Sequence, residues 1–311
     1  MATRLSTVPS GSPTPLELLV RDFLNSCRAR GLSVKTVDQT YKPRLERQFL
    51  TWADAEGISE VEQVNQRAIE RYQAHLFGSG LRKEKLSTFT VNSYVRTLNV
   101  FLSWAHSEGE KVVGRGQLAR TPQKLVETLT SEEIRSMERI ANDRDALIVR
   151  LLADTGIRAG ELCELRTDDV IEHARHDYLR VTGKGEKQRL VPVPAPLARR
   201  LRRYMRSRSV ESSDTHVFLS LRRARHGEYE PLSVSGLEQM IHVLAKNAGI
   251  NRRVYPHIFR HTYITELLRN GVDATKIRRV VGHSSTQLID RVYGHLVEGD
   301  LADSVLAALR R

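Results

Sequence analysis

From Leu16 to Ala105 the apolar side chains of this chain recur at spacings of three and four. That period lines one face of an α-helix, so the region is confined to helices that bury those faces against one another. A start signal stands at the head of the first run. Thr14 occupies an N-cap position, Pro15 the first helical position, and Glu17 the place a capping box needs. Leu16, Leu19, Val20, Phe23, Leu24 and Cys27 follow on one face, and Gly31 ends the run. A second helix is expected from Ser33, with Val34, Val37, Tyr41, Leu45, Phe49 and Trp52 on one face and a kink at Pro43. A third runs from Asn65 through Ile69, Tyr72 and Leu76. The fourth starts at Ser87 and carries Val91, Tyr94, Val95, Leu98, Phe101, Leu102 and Ala105. Residues 13–107 are therefore expected to form an all-helical bundle.

Periodicity fails in "SEGEKVVGRGQLARTPQ", where Gly, Pro and charge replace the apolar repeat, and residues 108–128 are read as a linker between domains. Helices resume at another capping box, Thr130 to Glu133, and an apolar helix follows and stops at Gly156. A short helix is expected within "RAGELCEL". The one clear β signal is "YLRVTGKGEKQRLVPVP", two strand-like stretches around Tyr178–Thr182 and Arg189–Val193 flanking a Gly-rich turn. Beyond Pro196 the pattern is helical again, apart from a short strand at "HVFLS". The fold class is mainly α with a small β-sheet, and the second domain is expected over residues 129–311.

The 311 residues carry 49 Lys+Arg against 37 Asp+Glu, a formal net charge of +12. Surplus cations gain free energy by releasing counterions from a polyanion, so nucleic acid is the expected partner. Both sides of residue 107 share the surplus: 14 against 10 before it and 35 against 27 after it. A detachable basic tail would have loaded one end instead. No apolar run approaches the ~18 residues a bilayer span needs, and the N-terminus lacks the apolar block of a signal peptide, so a cytoplasmic protein is expected. Cys27 and Cys163 lie far apart and read as small buried apolar residues.

Five polar features stand out in the second half. Arg158 follows the helix-ending Gly156. Lys184 stands at the tip of the hairpin between Gly183 and Gly185. His257, Arg260 and His261 open a helix in "PHIFRHTYITELLRNG", at spacings that share one face. His283 follows Gly282 ahead of Ser284 and Ser285, and Tyr293 comes ten positions later. His257 and His261 have the spacing of a zinc pair, but the glutamate of HExxH is missing and an arginine adjoins them, so no metal is expected. Singly, each of these residues has a plainer reading as a surface or packing residue.

In their order and local contexts these motifs resemble the tyrosine recombinase (phage integrase) family. They run from Arg158 in "TGIRAGEL" through the lysine hairpin, "HIFRH" and "GHSS" to Tyr293. Phe259 stands where that family usually has leucine. The likeness extends to the helical first half, which resembles the family's core-binding, SAM-like domain, and points to a simple Xer-like or Cre-like architecture. It implies a site-specific DNA recombinase that cleaves and rejoins duplex DNA through a covalent 3′-phosphotyrosyl intermediate. It also implies the roles: Tyr293 the nucleophile, Arg158 and Arg260 the holders of the phosphoryl oxygens, Lys184 the general acid, with Lys187 as its rival. His257 and His283 are then proton-transfer or phosphate-binding partners, and Glu161 a carboxylate supporting the site from behind. Cofactors are not expected. Partners implied are double-stranded DNA recombination sites and three further copies of the chain in a homotetramer, with the apolar C-terminal stripe Leu301, Val305, Leu306 and Leu309 docking in trans. Two other functions stay open on these residues: type IB topoisomerase-like relaxation of DNA, and a non-catalytic DNA-binding regulator on the same fold.

Overall fold

The computed structural model describes residues 12–78, 85–121, 126–183, 186–208, 215–223 and 229–282. Lys184, His283, Tyr293 and the C-terminal stripe lie outside the described residues. The chain divides into two compact units, one up to Gln123 and one from Lys124.

In the first unit, α1 is Pro15–Ala29, capped by the Thr14–Glu17 box. The second helical run, α2, covers 34–55 and opens on the Ser33 cap. Pro43 has no N–H to give the preceding turn. The helix meets that loss with wide π turns on both sides, Val37–Tyr41 and Leu45–Phe49, closed by Lys42 N–H to the Val37 carbonyl and Leu50 N–H to the Leu45 carbonyl. The expected kink is thus resolved into π geometry, a known device for absorbing an interrupted ladder. Helix α3 (Gln66–Gly78) and helix α4 (Thr88–Ser107) complete the bundle. Phe23, Phe49, Tyr72, Phe101 and Leu102 are buried at its centre. Phe23 meets Phe101 edge to face at 5.6 Å, an arrangement aromatic quadrupoles favour.

The connector expected at 108–128 is less free than its composition suggests, and the boundary between the units falls inside it. Asn99 on α4 accepts from the Gly116 N–H and donates to the Gly116 carbonyl, both at 2.8 Å. Asn92 does the same with Ala119, at 2.8 and 2.9 Å. A Cβ on Gly116 would stand 2.5 Å from Val95, so only glycine permits this approach. The segment is held by its backbone on the first unit, which leaves no side-chain period to read.

In the second unit, α5 is Ser131–Ile140, α6 Asp143–Thr155 and α7 Ala159–Cys163. A three-stranded antiparallel sheet follows, in the order β1 (Val170–His173), β2 (His176–Thr182), β3 (Gln188–Val193). The sequence pattern missed β1, whose four residues are too few to display a period. Helix α8 (Ala195–Arg208) precedes a two-stranded ribbon, β4 (Leu219–Arg223) with β5 (Tyr229–Pro231). The strand expected at "HVFLS" therefore begins three residues later than its first residue, and its partner β5 was not foreseen. Three helices close the described chain: α9 (Val234–Asn247), α10 (Pro256–Arg269) and α11 (Ala274–Val281).

Leu147, Ile148, Leu151 and Leu152 of α6 form the middle of the second core, with Leu179 and Val191 from the sheet and Ile258 and Phe259 from α10. Phe259 is fully buried, so the larger ring is accommodated where leucine is usual. Buried Arg144 donates to Asp145 and to the Leu219 carbonyl, tying α6 to β4. The arginine-rich face of α8 is partly spent on its neighbours, Arg202 pairing with Asp177 and Arg200 with Glu138. Cys27 and Cys163 are buried free thiols. Among the described residues no helix is long and apolar enough to cross a membrane.

Candidate active site

Helix α6 ends at Gly156, in the left-handed region at φ 59°, and this sharp C-cap turns the chain so that Arg158 becomes the N-cap of α7. Glycine is required there twice over, because a Cβ would stand 2.4 Å from the Tyr263 ring. One turn into α7, Glu161 points back. Its carboxylate accepts from the Arg158 N–H at 2.8 Å and from the Arg158 guanidinium at 2.7 Å. The same two oxygens take a parallel pair of bonds from Arg189 on β3, at 2.7 and 2.8 Å. Such bidentate pairs are the strongest and most directional of protein ion pairs.

The three side chains differ in access: Glu161 is 5% exposed, Arg189 13% and Arg158 39%. Solvent thus reaches Arg158 past a carboxylate sealed behind it. Burial would raise the Glu161 carboxyl, but the Arg189 and Arg158 hydrogen bonds and the Arg189 charge outweigh it and hold the group down at about 2. It is an anion at every physiological pH.

Three arginines from three elements meet the C-terminal end of α11. Arg189 donates through Nε to the Val280 carbonyl at 2.7 Å, Arg260 to the Val281 carbonyl, and Arg158 to the Gly282 carbonyl at 2.8 Å. Arg260, 1% exposed, also donates to the Gly156 carbonyl at 2.8 Å and so joins the α6 cap to the α11 end. Carbonyls at the end of a helix have no partner within it and carry partial negative charge, which explains why guanidiniums gather there. His283 is the next residue of the chain.

His257 lies one turn before Arg260 and His261 on α10, and its ring meets that of His261 edge to face at 4.6 Å. Desolvation, then the charges of Arg260 and Arg158, lower the His257 imidazole, which is at the surface. Burial, His257 and Arg260 push His261 down to about 4. Both rings are neutral at neutral pH, each with one donor and one acceptor nitrogen. The cluster as a whole holds three guanidiniums and one carboxylate, a formal excess of two positive charges suited to a phosphodiester.

Arg158, Glu161, His257 and Arg260 are therefore brought together from positions up to 102 residues apart in sequence. Lys184, His283 and Tyr293 lie outside the described residues, although the chain is described up to Gly183 and Gly282. Sequence reasoning gave Arg189 no role. A signal was available: Arg189 shares its strand face with the buried Val191 and Val193, and a cation on an apolar face calls for a buried anion.

Comparison with known proteins identifies the family. Residues 127–299 match the phage integrase family. A curated relative, the tyrosine recombinase XerA of Thermococcus kodakarensis, is 32% identical over 252 residues, covering 79% of this chain and 81% of its own. Among solved structures, the XerH site-specific recombinase bound to palindromic difH substrate superposes with a TM-score of 0.73 at 17% identity, covering 95% of this chain and 97% of that one. The lambda integrase tetramer bound to a Holliday junction gives a TM-score of 0.64 at 18% identity, over 91% of this chain and 79% of that one. The chain belongs to the phage integrase family, the tyrosine recombinases.

Proposed function

We propose that this recombinase cuts and rejoins duplex DNA through Tyr293. The phenolic oxygen attacks the scissile phosphorus, the bond to the 5′ oxygen breaks, and a 3′-phosphotyrosyl link forms. The phenol has a reference pKa of about 10, so it needs a proton acceptor and nearby cations to attack at neutral pH. Arg158 and Arg260 hold the non-bridging oxygens and stabilise the charge that grows on them. Lys184 gives the departing 5′ oxygen its proton, and His257, neutral at neutral pH, and His283 relay protons or bind the phosphate. Because the phosphotyrosyl ester conserves the bond energy, a 5′ hydroxyl from a second duplex reverses the step and exchanges strands.

The observation that carries this reading is the meeting of Arg158 and Arg260 at the carbonyls of Val281 and Gly282, immediately before His283. By analogy with the assembled recombinases of this fold, the working form is a homotetramer on two duplex sites in the cytoplasm, with the helical domain expected over residues 13–107 and the catalytic domain expected from 129 both touching DNA. The C-terminal stripe from Leu301 to Leu309 docks on a neighbouring copy.

The test uses a nicked suicide duplex bearing the site that the wild-type chain selects from a random-sequence library. A covalent protein–DNA adduct is expected, and Tyr293→Phe removes it while still binding the duplex. An adduct that persists in Tyr293→Phe, or none from the wild type, overturns the assignment.

A further inference from the structure

We infer that Arg189 is a positioning residue for DNA cleavage, acting through Glu161 on Arg158; this rests on assigning Arg158 to the scissile phosphate. Unlike Arg158, which is 39% exposed, Arg189 is 13% exposed and has all three of its nitrogens on protein groups. Its two terminal nitrogens are spent on Glu161 and its Nε on the Val280 carbonyl. What it controls is the appetite of a buried anion. Glu161 is 5% exposed, so its two oxygens must be satisfied by protein groups. With Arg189 filling both, Glu161 takes only one side-chain bond from Arg158, leaving the other terminal nitrogen of that guanidinium turned to the Gly282 carbonyl at the mouth of the site.

Without Arg189 the carboxylate loses two charge-assisted bonds. The nearest cation able to replace them is Arg158, whose fork turns inward and pairs bidentately, away from the site. The expected defect is in chemistry rather than in affinity. Lysine in place of Arg189 retains the charge but not the fork, and cannot fill both oxygens and the Val280 carbonyl together.

The 311-residue chain is compared as wild type, Arg189→Met and Arg189→Lys, each checked by thermal melting and by affinity for the selected duplex. Single-turnover adduct formation is then measured on two suicide duplexes, one with the ordinary scissile phosphate and one with a methylphosphonate there. The methylphosphonate has lost one charged oxygen and so makes a smaller demand on Arg158. On the ordinary phosphate both variants are expected to form adduct about 10- to 100-fold more slowly, with binding within about threefold of wild type. On the methylphosphonate the deficit shrinks to about threefold or less. A loss of general stability would slow both substrates alike. The inference is overturned by equal deficits on the two substrates, or by a folded variant that cleaves the ordinary phosphate at the wild-type rate. If Arg189→Met does not fold, the same two outcomes in Arg189→Lys decide. Should the wild type form no adduct on either duplex, the assignment of the site fails first and takes this inference with it.

Discussion

At the residue scale the site is built by satisfying buried groups. Glu161 is held as an anion because two arginines meet it, and Arg260 is tolerated at 1% exposure because it feeds the Gly156 and Val281 carbonyls. Gly156 is where these demands cross. Its left-handed backbone ends α6, its missing Cβ makes room for Tyr263, and its carbonyl receives Arg260. Gly156→Ala is expected to destabilise the chain by about 2–4 kcal/mol, from the left-handed penalty plus overpacking against the ring. Urea unfolding checks this, and an unchanged midpoint refutes it. In the sequence, Gly156 was legible as a helix end. Its relation to Tyr263, more than a hundred positions away, was not, since nothing local announces a ring packed on a glycine.

At the element scale, caps and periods were read well because they are local. The Thr14, Ser87 and Thr130 starts all carry side-chain bonds to the first turn, as their sequences imply. Short strands were read less well: β1 and β5 owe their existence to pairing rather than to their own patterns. The segment around Gly116 fails in the opposite sense, looking like a free linker while Asn92 and Asn99 grip its backbone. Asn99→Ala leaves both polar groups of Gly116 without that partner, at a cost of about 1–3 kcal/mol. Trypsin is then expected to cut after Arg115 and Arg120 faster than in the wild type. Equal cutting rates would show that the asparagine grip is not what secures the segment.

At the scale of the whole molecule, each unit owns a core, and the second owns the titrating cluster. His257 and His261 have folded pKa values below their ordinary 6.5, so the unfolded chain binds more protons and stability falls as pH drops from about 6.5 toward 4. Glu161, lowered from 4.5 to about 2, keeps its full contribution above pH 4.5 and loses it only below that. Acidification from pH 7 to 5 is thus expected to destabilise the second unit through His257 and His261, with no loss from Glu161 in that range. Denaturant midpoints at the two pH values measure this, and His261→Gln is expected to flatten the slope; a slope unaltered in that variant refutes it. The sequence by itself determined the helical bundle, the mixed second unit, the basic character and the order of the motifs, because helix periods, caps and charge are written in neighbouring residues. Only the tertiary structure decided that Arg158, Arg189 and Arg260 share one helix end, and that Arg158 and Arg189 also share one buried carboxylate. Such a meeting depends on how distant elements pack, and no local period records it.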